Sequence, residues 1–308
     1  MARRKRGNPV NGWVILDKPS GVTSTHAVSA VRRIFDAQKA GHAGTLDPLA
    51  TGILPIALGE ATKTVPYVMD ASKEYTFEVT WGEERTTDDL EGTVCGSTDA
   101  RPDIDGIEAV LPQFQGIVTQ VPPIFSAVKI QGQRAYDLAR REEPVELSPR
   151  EVRIDFFELV EARDADHALF RVGSGKGAYM RSLARDLARA AGTLGHISML
   201  RRHRVGPFLE ADAISLDSLK ALDHSPAAFE HLLPVETALD GIPALTLTGA
   251  EANKLRCGQS VPVFRAMDLD RFGDLREGDV MYAVSEGSPV AIGRIDGGCI
   301  CPMRVLNL

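Results

Sequence analysis

The chain has 308 residues, 44% hydrophobic and 25% charged, with a formal net charge of −7. This composition suits a globular protein with a large core and a small second domain, and it argues against a uniformly basic nucleic-acid binder. No stretch reaches 18 apolar residues, and the basic residues 1–6 lead into Gly7, Asn8 and Pro9, so neither a membrane span nor a signal peptide is expected. Cys95, Cys257, Cys299 and Cys301 lack C-x-x-C spacing. Reduced thiols of a cytoplasmic protein are therefore expected, not a zinc ribbon or a disulfide framework.

Residues 1–8 are expected to be disordered, with Arg3, Arg4, Lys5 and Arg6 in a solvated tail. The apolar run 13–16 predicts a buried strand and stops at the turn cluster Asp17-Lys18-Pro19-Ser20-Gly21. Ser24 reads as a helix N-cap, and Val28, Val31, Ile34 and Phe35 follow at helical spacing. Next comes G-H-A-G-T-L-D-P-L-A-T-G at 41–52, where Gly41, Gly44, Gly52 and Pro48 predict a tight irregular loop. The loop holds one acid, Asp47, and the following proline pushes its backbone toward extended geometry. His42 lies five residues upstream. The loop contains no second carboxylate, no cysteine and no G-x-x-x-x-G-K-[ST] pattern, so it supports neither a metal cluster nor a P-loop.

Residues 53–58 form the next apolar strand candidate. Residues 73–81 alternate, with Tyr75, Phe77, Val79 and Trp81 on the core face. The acidic segment Thr87-Asp88-Asp89-Leu90-Glu91-Gly92 reads as a hairpin turn. Residues 121–150 stand apart, interleaving Lys129, Arg134, Arg140 and Arg141 with Phe125 and Tyr136 and carrying a predicted short helix over 134–141. Such a mixture suits RNA backbone contact and base stacking.

Three glycines at 173, 175 and 177 precede a helix. Its stripe is Met180, Leu183, Ala184, Leu187, Ala188 and Ala191, and it stops at Gly192. Arg181, Arg185 and Arg189 line its flank. From 171 to 204, eight basic residues stand against one acid, which predicts a local positive footprint. Residues 214–222 and 229–235 read as helical or irregular connectors. A separate unit is expected from about Pro243, with Thr248 and Glu251 as a capping box, a helix ending near Gly258, and β segments at 261–263, 280–284 and 290–295 around an acidic run at 268–279. Strands and helices mix without a βαβ rhythm, so the fold class is α+β.

The twelve residues 41–52 resemble the signature of the TruB-type pseudouridine synthases, the tRNA pseudouridine-55 synthase family. D-K-P-x-G around Lys18, K-E-Y ending at Tyr75, G-x-Y-x-R-S at 177–182 and L-R-R at 200–202 resemble further motifs of that family. The likeness therefore runs over most of the chain. It implies a pseudouridine synthase fold with a mixed, largely antiparallel central sheet over 1–240, including an RNA-clamping insertion at about 121–150. L-T-x-x-E-A-x-x-L-R-x-G-Q from Leu247 is similar to a PUA-type RNA-binding domain, implying a small β-rich domain over 241–308.

The implied reaction is isomerisation of uridine-55 in the T-loop of tRNA, with base flipping and with neither cofactor nor metal. By the same resemblance Asp47 is the catalytic carboxylate and nucleophile, attacking C6 of the base or C1′ of the sugar. Arg181 is the candidate cation beside it, since an adjacent guanidinium favours an ionised carboxylate. Tyr75 stacks on the base or acts as a base in a later proton transfer, and Tyr179 and Leu200 wall the pocket. His42 holds the flipped nucleotide or supports the RNA loop, and Lys18 lies near the active site. A monomer is expected, and the 121–150 segment is expected to be mobile without RNA. Two other classes compete. One is a non-catalytic RNA-binding or tRNA-chaperone protein. The other is an aspartyl phosphotransferase, which needs a Mg²⁺-binding carboxylate set.

Overall fold

The computed structural model describes residues 7–126, 129–130, 133–134, 141, 147–223, 225–262 and 275–308. β1 (Gly12–Lys18) opens the fold, and its Trp13, Val14, Ile15 and Leu16 are all fully buried. The apolar run is continuous because the strand is covered on both faces. Val14 and Leu16 join one apolar cluster, while Trp13 and Ile15 join another. β2 (Ala40–His42) and β3 (Thr51–Leu58) form a hairpin, and β4 (Lys73–Trp81) follows. In β4 the expected alternation holds, with Tyr75, Phe77, Val79 and Trp81 buried.

β5 (Glu83–Arg85) and β6 (Val94–Ser97) form a small separate ribbon. β7 (Gly116–Gln120), the short pair β8 (Lys129–Ile130) and β9 (Gln133–Arg134), β10 (Arg150–Ala162), β11 (His167–Ser174), β12 (Gly195–Val205), β13 (Phe208–Leu209) and β14 (Ile214–Ser215) complete this unit. The main sheet runs β14-β1-β3-β12-β4-β11-β10-β7, with β2 on β3 and β13 on β12. Only β1–β14 and β3–β12 are parallel. It is the mixed, largely antiparallel sheet expected. Its decisive strand is β12, whose Arg202 sits opposite Gly52 on one side and Tyr75 on the other.

Among the helices are α1 (Ser24–Ile34), α2 (Val65–Asp70), α3 (Ile104–Val110), α4 (Met180–Ala190), α5 (Leu216–Ala221) and α6 (Gly249–Arg256). α4 lays Met180, Leu183, Ala184, Leu187 and Ala188 into the main core and ends before Gly192, which takes φ +77°. The N-cap of α1 is Thr23, whose side chain accepts from the His26 N–H at 3.1 Å. Ser24 has another task, given below. Residues 1–6 lie outside the described residues. Asn8, expected in a disordered tail, instead bridges Ala37 and bonds Asp36.

The second unit is a five-stranded sheet in the order β15 (Ala244–Thr246), β17 (Val280–Ser285), β18 (Ser288–Asp296), β19 (Cys299–Val305), β16 (Val261–Pro262). It has its own apolar cluster, including Leu245, Leu255, Met281 and Ile300. The Thr248–Glu251 capping box closes as expected. β15 and β19 are too short or too mixed in composition to have stood out in the sequence. Leu306 leaves this sheet and packs in the cluster of Trp13 and Phe208. Lys63 Nζ donates to the Val305 carbonyl at 2.7 Å, and the Asn307 N–H donates to Glu60 at 2.8 Å. Most of the 121–150 segment, including the helix expected at 134–141 and the mobility expected there, lies outside the described residues. So does most of the acidic run 268–279.

Candidate active site

Strand pairing shortens the 41–52 loop to 43–50, the connection between β2 and β3. Both neighbours of Asp47 are pinned. The Ser24 hydroxyl donates to the Leu46 carbonyl and accepts from the Leu46 N–H, each at 2.9 Å. Beyond Asp47, the Pro48 carbonyl accepts from the Gly21 N–H at 2.8 Å and from Lys18 Nζ at 3.2 Å. Lys18 also donates to Val22 at 2.7 Å and Pro19 at 2.9 Å, so all three ammonium N–H bonds are directed at carbonyls. Lys18 is therefore placed under the loop as a brace. Burial pulls its pKa down to about 8, against the opposing pull of Asp47 and Glu91. At Gly52, φ is +96° and a Cβ would lie 2.2 Å from the Arg202 carbonyl oxygen, so only glycine fits where β12 crosses the end of the loop.

Arg181, in the first turn of α4, reaches the loop across 134 residues of sequence. Its Nε donates to Asp47 Oδ2 at 2.8 Å, its Nη1 to the Thr87 carbonyl at 2.9 Å and its Nη2 to the Phe125 carbonyl at 2.9 Å. Each nitrogen thus holds a different element. The Arg181 side chain is 6% exposed and that of Asp47 34%, so the cation is sealed in while the carboxylate meets the opening.

Asp89 lies 3.6 Å from the same Nε and is itself held by the Thr87 hydroxyl and the Glu91 N–H. The acidic turn is a hairpin turn, as expected, but it is folded inward against Arg181 and Arg185. Asp88 pairs with Arg185 at 3.1 Å, and burial raises its pKa to about 6 despite Arg185 and Arg181. Burial, then Asp89 and Asp47, push Glu91 up as well. Tertiary structure thus brings Asp89 and Glu91 toward Asp47, although the loop itself holds one acid. Among the described residues, no group of three His, Cys, Asp or Glu side chains is arranged to hold a metal ion.

Tyr75 sits opposite Arg202 in the β4–β12 pairing, Leu200 sits opposite Phe77, and both Tyr75 and Leu200 are buried. Because Arg202 and Tyr75 sit opposite each other, the Tyr75 hydroxyl is close enough to the Arg202 guanidinium to interact with it electrostatically. Arg202 is fully buried and also donates to the carbonyls of Ile53 at 2.8 Å and Gly44 at 3.1 Å. One side chain therefore joins Tyr75 to the Asp47 loop. Tyr179 is the N-cap residue of α4, two positions before Arg181. Its backbone is gripped by the buried Gln120, which accepts from the Tyr179 N–H at 2.8 Å and donates to its carbonyl at 3.0 Å. His42 ends β2 opposite Ile56, half-buried at the entrance to the loop.

Residues 32–180 match the model of the TruB family pseudouridylate synthase N-terminal domain, and residues 181–240 that of the tRNA pseudouridylate synthase B C-terminal domain. The chain belongs to the TruB family of pseudouridylate synthases. A protein of Gluconacetobacter diazotrophicus named tRNA pseudouridine synthase B is 52% identical over 310 residues, covering 99% of this chain and 100% of that one. A protein of the same name from Rhodospirillum rubrum is 52% identical over 308 residues, covering 100% of both chains. A chain in the crystal structure of a Cbf5-Nop10-Gar1 complex has a TM-score of 0.72 at 27% identity, covering 96% of this chain and 84% of that one. A chain of an archaeal box H/ACA sRNP Nop10-Cbf5 complex shares the fold, with a TM-score of 0.71 at 24% identity and coverage of 99% and 92%.

In this TruB-family chain, the positive footprint expected over 171–204 is largely neutralised. Arg171 and Arg204 share Glu74, Lys176 meets Asp70, and Arg181 meets Asp47. Arg185 meets Asp88 and Asp186, Arg189 meets Glu84, and Arg201 meets Asp17 and Glu210. Arg202 is buried among carbonyls. Counting charges along a segment misses acids supplied by other strands. Sequence reasoning also missed Arg202, Ser24 and Gln120. Arg202 had stood out only as one of the eight basic residues of 171–204 and as part of the L-R-R run.

Proposed function

We propose that the protein converts uridine to pseudouridine in tRNA, at uridine-55 of the T-loop, with Asp47 as nucleophile on an extruded nucleotide. The observation that carries this is the 2.8 Å contact from a sealed Arg181 to a solvent-accessible Asp47 whose two neighbours are pinned. Such a carboxylate is oriented before substrate arrives, so little reorganisation is needed at the moment of attack. The N1–C1′ bond breaks, the uracil turns within the pocket, and a C5–C1′ bond forms. C5 loses its proton, N1 ends protonated, and nothing is oxidised. Tyr75 meets the base and is positioned to take part in a proton transfer through its hydroxyl. Tyr179 and Leu200 wall the pocket, His42 stands at its entrance, and Lys18 and Arg181 support Asp47. A base can occupy this pocket only after leaving its stack.

All these residues come from one chain, which supports action as a monomer, and the substrate places the protein in the cytoplasm. In this scheme 1–240 is the catalytic unit and 241–308 an accessory PUA-like unit. The test is tritium release from tRNA transcript labelled at C5 of its uridines. We expect release by the wild type and none by Asp47→Asn, with tRNA binding retained. Equal release by both would remove Asp47 from the chemistry. Binding without release by either would instead indicate a non-catalytic RNA-binding protein.

A further inference from the structure

We propose that Arg150 binds a backbone phosphate of the RNA beside Tyr179, next to the nucleotide extruded toward Asp47. Arg150 begins β10 opposite Gln120, the residue that grips Tyr179. Its guanidinium carbon lies 4.8 Å from the centroid of the Tyr179 ring, and Nη2 donates to the Gly177 carbonyl at 2.5 Å. The ring face and the Gly177 carbonyl together hold the guanidinium in place, and only one of its five N–H bonds is used by that carbonyl.

What separates Arg150 from its neighbours is charge. Among the described residues around it, the exposed or half-exposed cations Arg153, Lys176 and Arg171 are matched by the carboxylates of Asp155, Asp70 and Glu74. Arg181 and Arg185 are matched within the fold. Lys18 and Arg202 are fully buried among carbonyls. Arg150 is only half-buried, and among the described residues it has a carbonyl and an aromatic face but no carboxylate. Its buried Nε has no hydrogen-bond partner, a donor whose charge a nearby anion would offset.

In an RNA substrate the anions available beside an extruded nucleotide are its flanking phosphodiesters. Their paired non-bridging oxygens match the guanidinium fork. A phosphate contact reads no sequence but sets the register of the strand. Placed behind Tyr179, it would fix which nucleotide stands over Asp47.

This inference rests on the proposed RNA substrate, so its test keeps the two apart. Full-length wild type, Arg150→Met and Arg150→Lys would be compared for tRNA binding by filter retention between about 50 and 200 mM salt. Tritium release and thermal unfolding would be followed in parallel. Methionine keeps an apolar stem on the Tyr179 ring and removes the charge. We expect Arg150→Met to lower the slope of log affinity against log salt by about 0.7–0.9, the loss of one phosphate contact, and to weaken binding several-fold at the lowest salt. Arg150→Lys should keep most of the slope. An unchanged slope with reduced turnover would overturn the proposal and leave Arg150 a support for Tyr179. An unchanged slope with unchanged turnover would overturn it too. Should Arg150→Met unfold, Arg150→Gln carries the same expectation. Failure of wild type to release tritium would count against the catalytic function, whatever the slopes show.

Discussion

Asp47 touches one nitrogen of Arg181 while the other two nitrogens hold the carbonyls of Thr87 and Phe125. A lysine has a single nitrogen and cannot span three directions. Arg181→Lys is therefore expected to lower the single-turnover rate by about a hundredfold or more, or about 3 kcal/mol, and to change tRNA affinity much less. A rate within threefold of wild type would mean that charge alone suffices there. Lys18 gives a test through pH. Burial lowers its pKa from 10.5 to about 8. An amine with a lowered folded pKa favours folding in its neutral form. That contribution is complete above 10.5 and is lost as the pH falls through about 8. The stability gap between wild type and Lys18→Met should therefore widen as the pH is raised from 8 toward 10, on the order of 1–2 kcal/mol by urea unfolding. A gap that is constant or narrows would show that the ammonium is solvated.

At the scale of the element, the Asp47 loop is a hairpin connection made rigid from outside. Ser24 clamps Leu46, Lys18 and Gly21 clamp Pro48, and Arg202 clamps Gly44. Glycine at 52 lets β12 come close enough to do this. Adding one methyl in Gly52→Ala meets the Arg202 carbonyl oxygen at 2.2 Å in a backbone conformation that alanine disfavours. We expect a loss of about 3 kcal/mol or more in denaturant unfolding, together with loss of tritium release. An alanine variant of wild-type stability and activity would show that β12 can shift without disturbing Asp47.

Across the whole molecule, the C-terminal segment ties the small unit to the large one. Leu306 follows the last strand of the small sheet and packs beside Trp13 and Phe208 in the large one. Truncating a buried leucine typically costs about 2–5 kcal/mol. Leu306→Ala is expected to fall in that range and to split the unfolding of the two units into separate transitions. A single transition with unchanged midpoint would show that the Lys63 and Glu60 contacts hold the units together without it. The acidic net charge and the RNA substrate are reconciled at this scale too. Among the described residues, most cations near Asp47 already have carboxylate partners, so there the proposed binding draws on uncompensated positions such as Arg150.

Much of this was legible in the sequence because it is local. Alternation set the buried face of Tyr75, the stripe in α4 set the helix that carries Arg181, and the twelve-residue loop with its glycines and Asp-Pro step announced a constrained acid. Local pattern reports backbone preference and the period of burial, and those survive into the fold. What only the tertiary structure decided are the pairings made by strand order. By placing β12 between β3 and β4, the sheet brings Arg202 between Gly44 and Tyr75. It also pairs Arg201 with Asp17, 184 residues away. Two errors share this cause. Ser24 was taken for a cap because its partner, Leu46, is 22 residues distant, and the positive footprint was overcounted because its acids come from other strands. Charge and hydrogen-bond compensation act through space, and no window along the chain contains them.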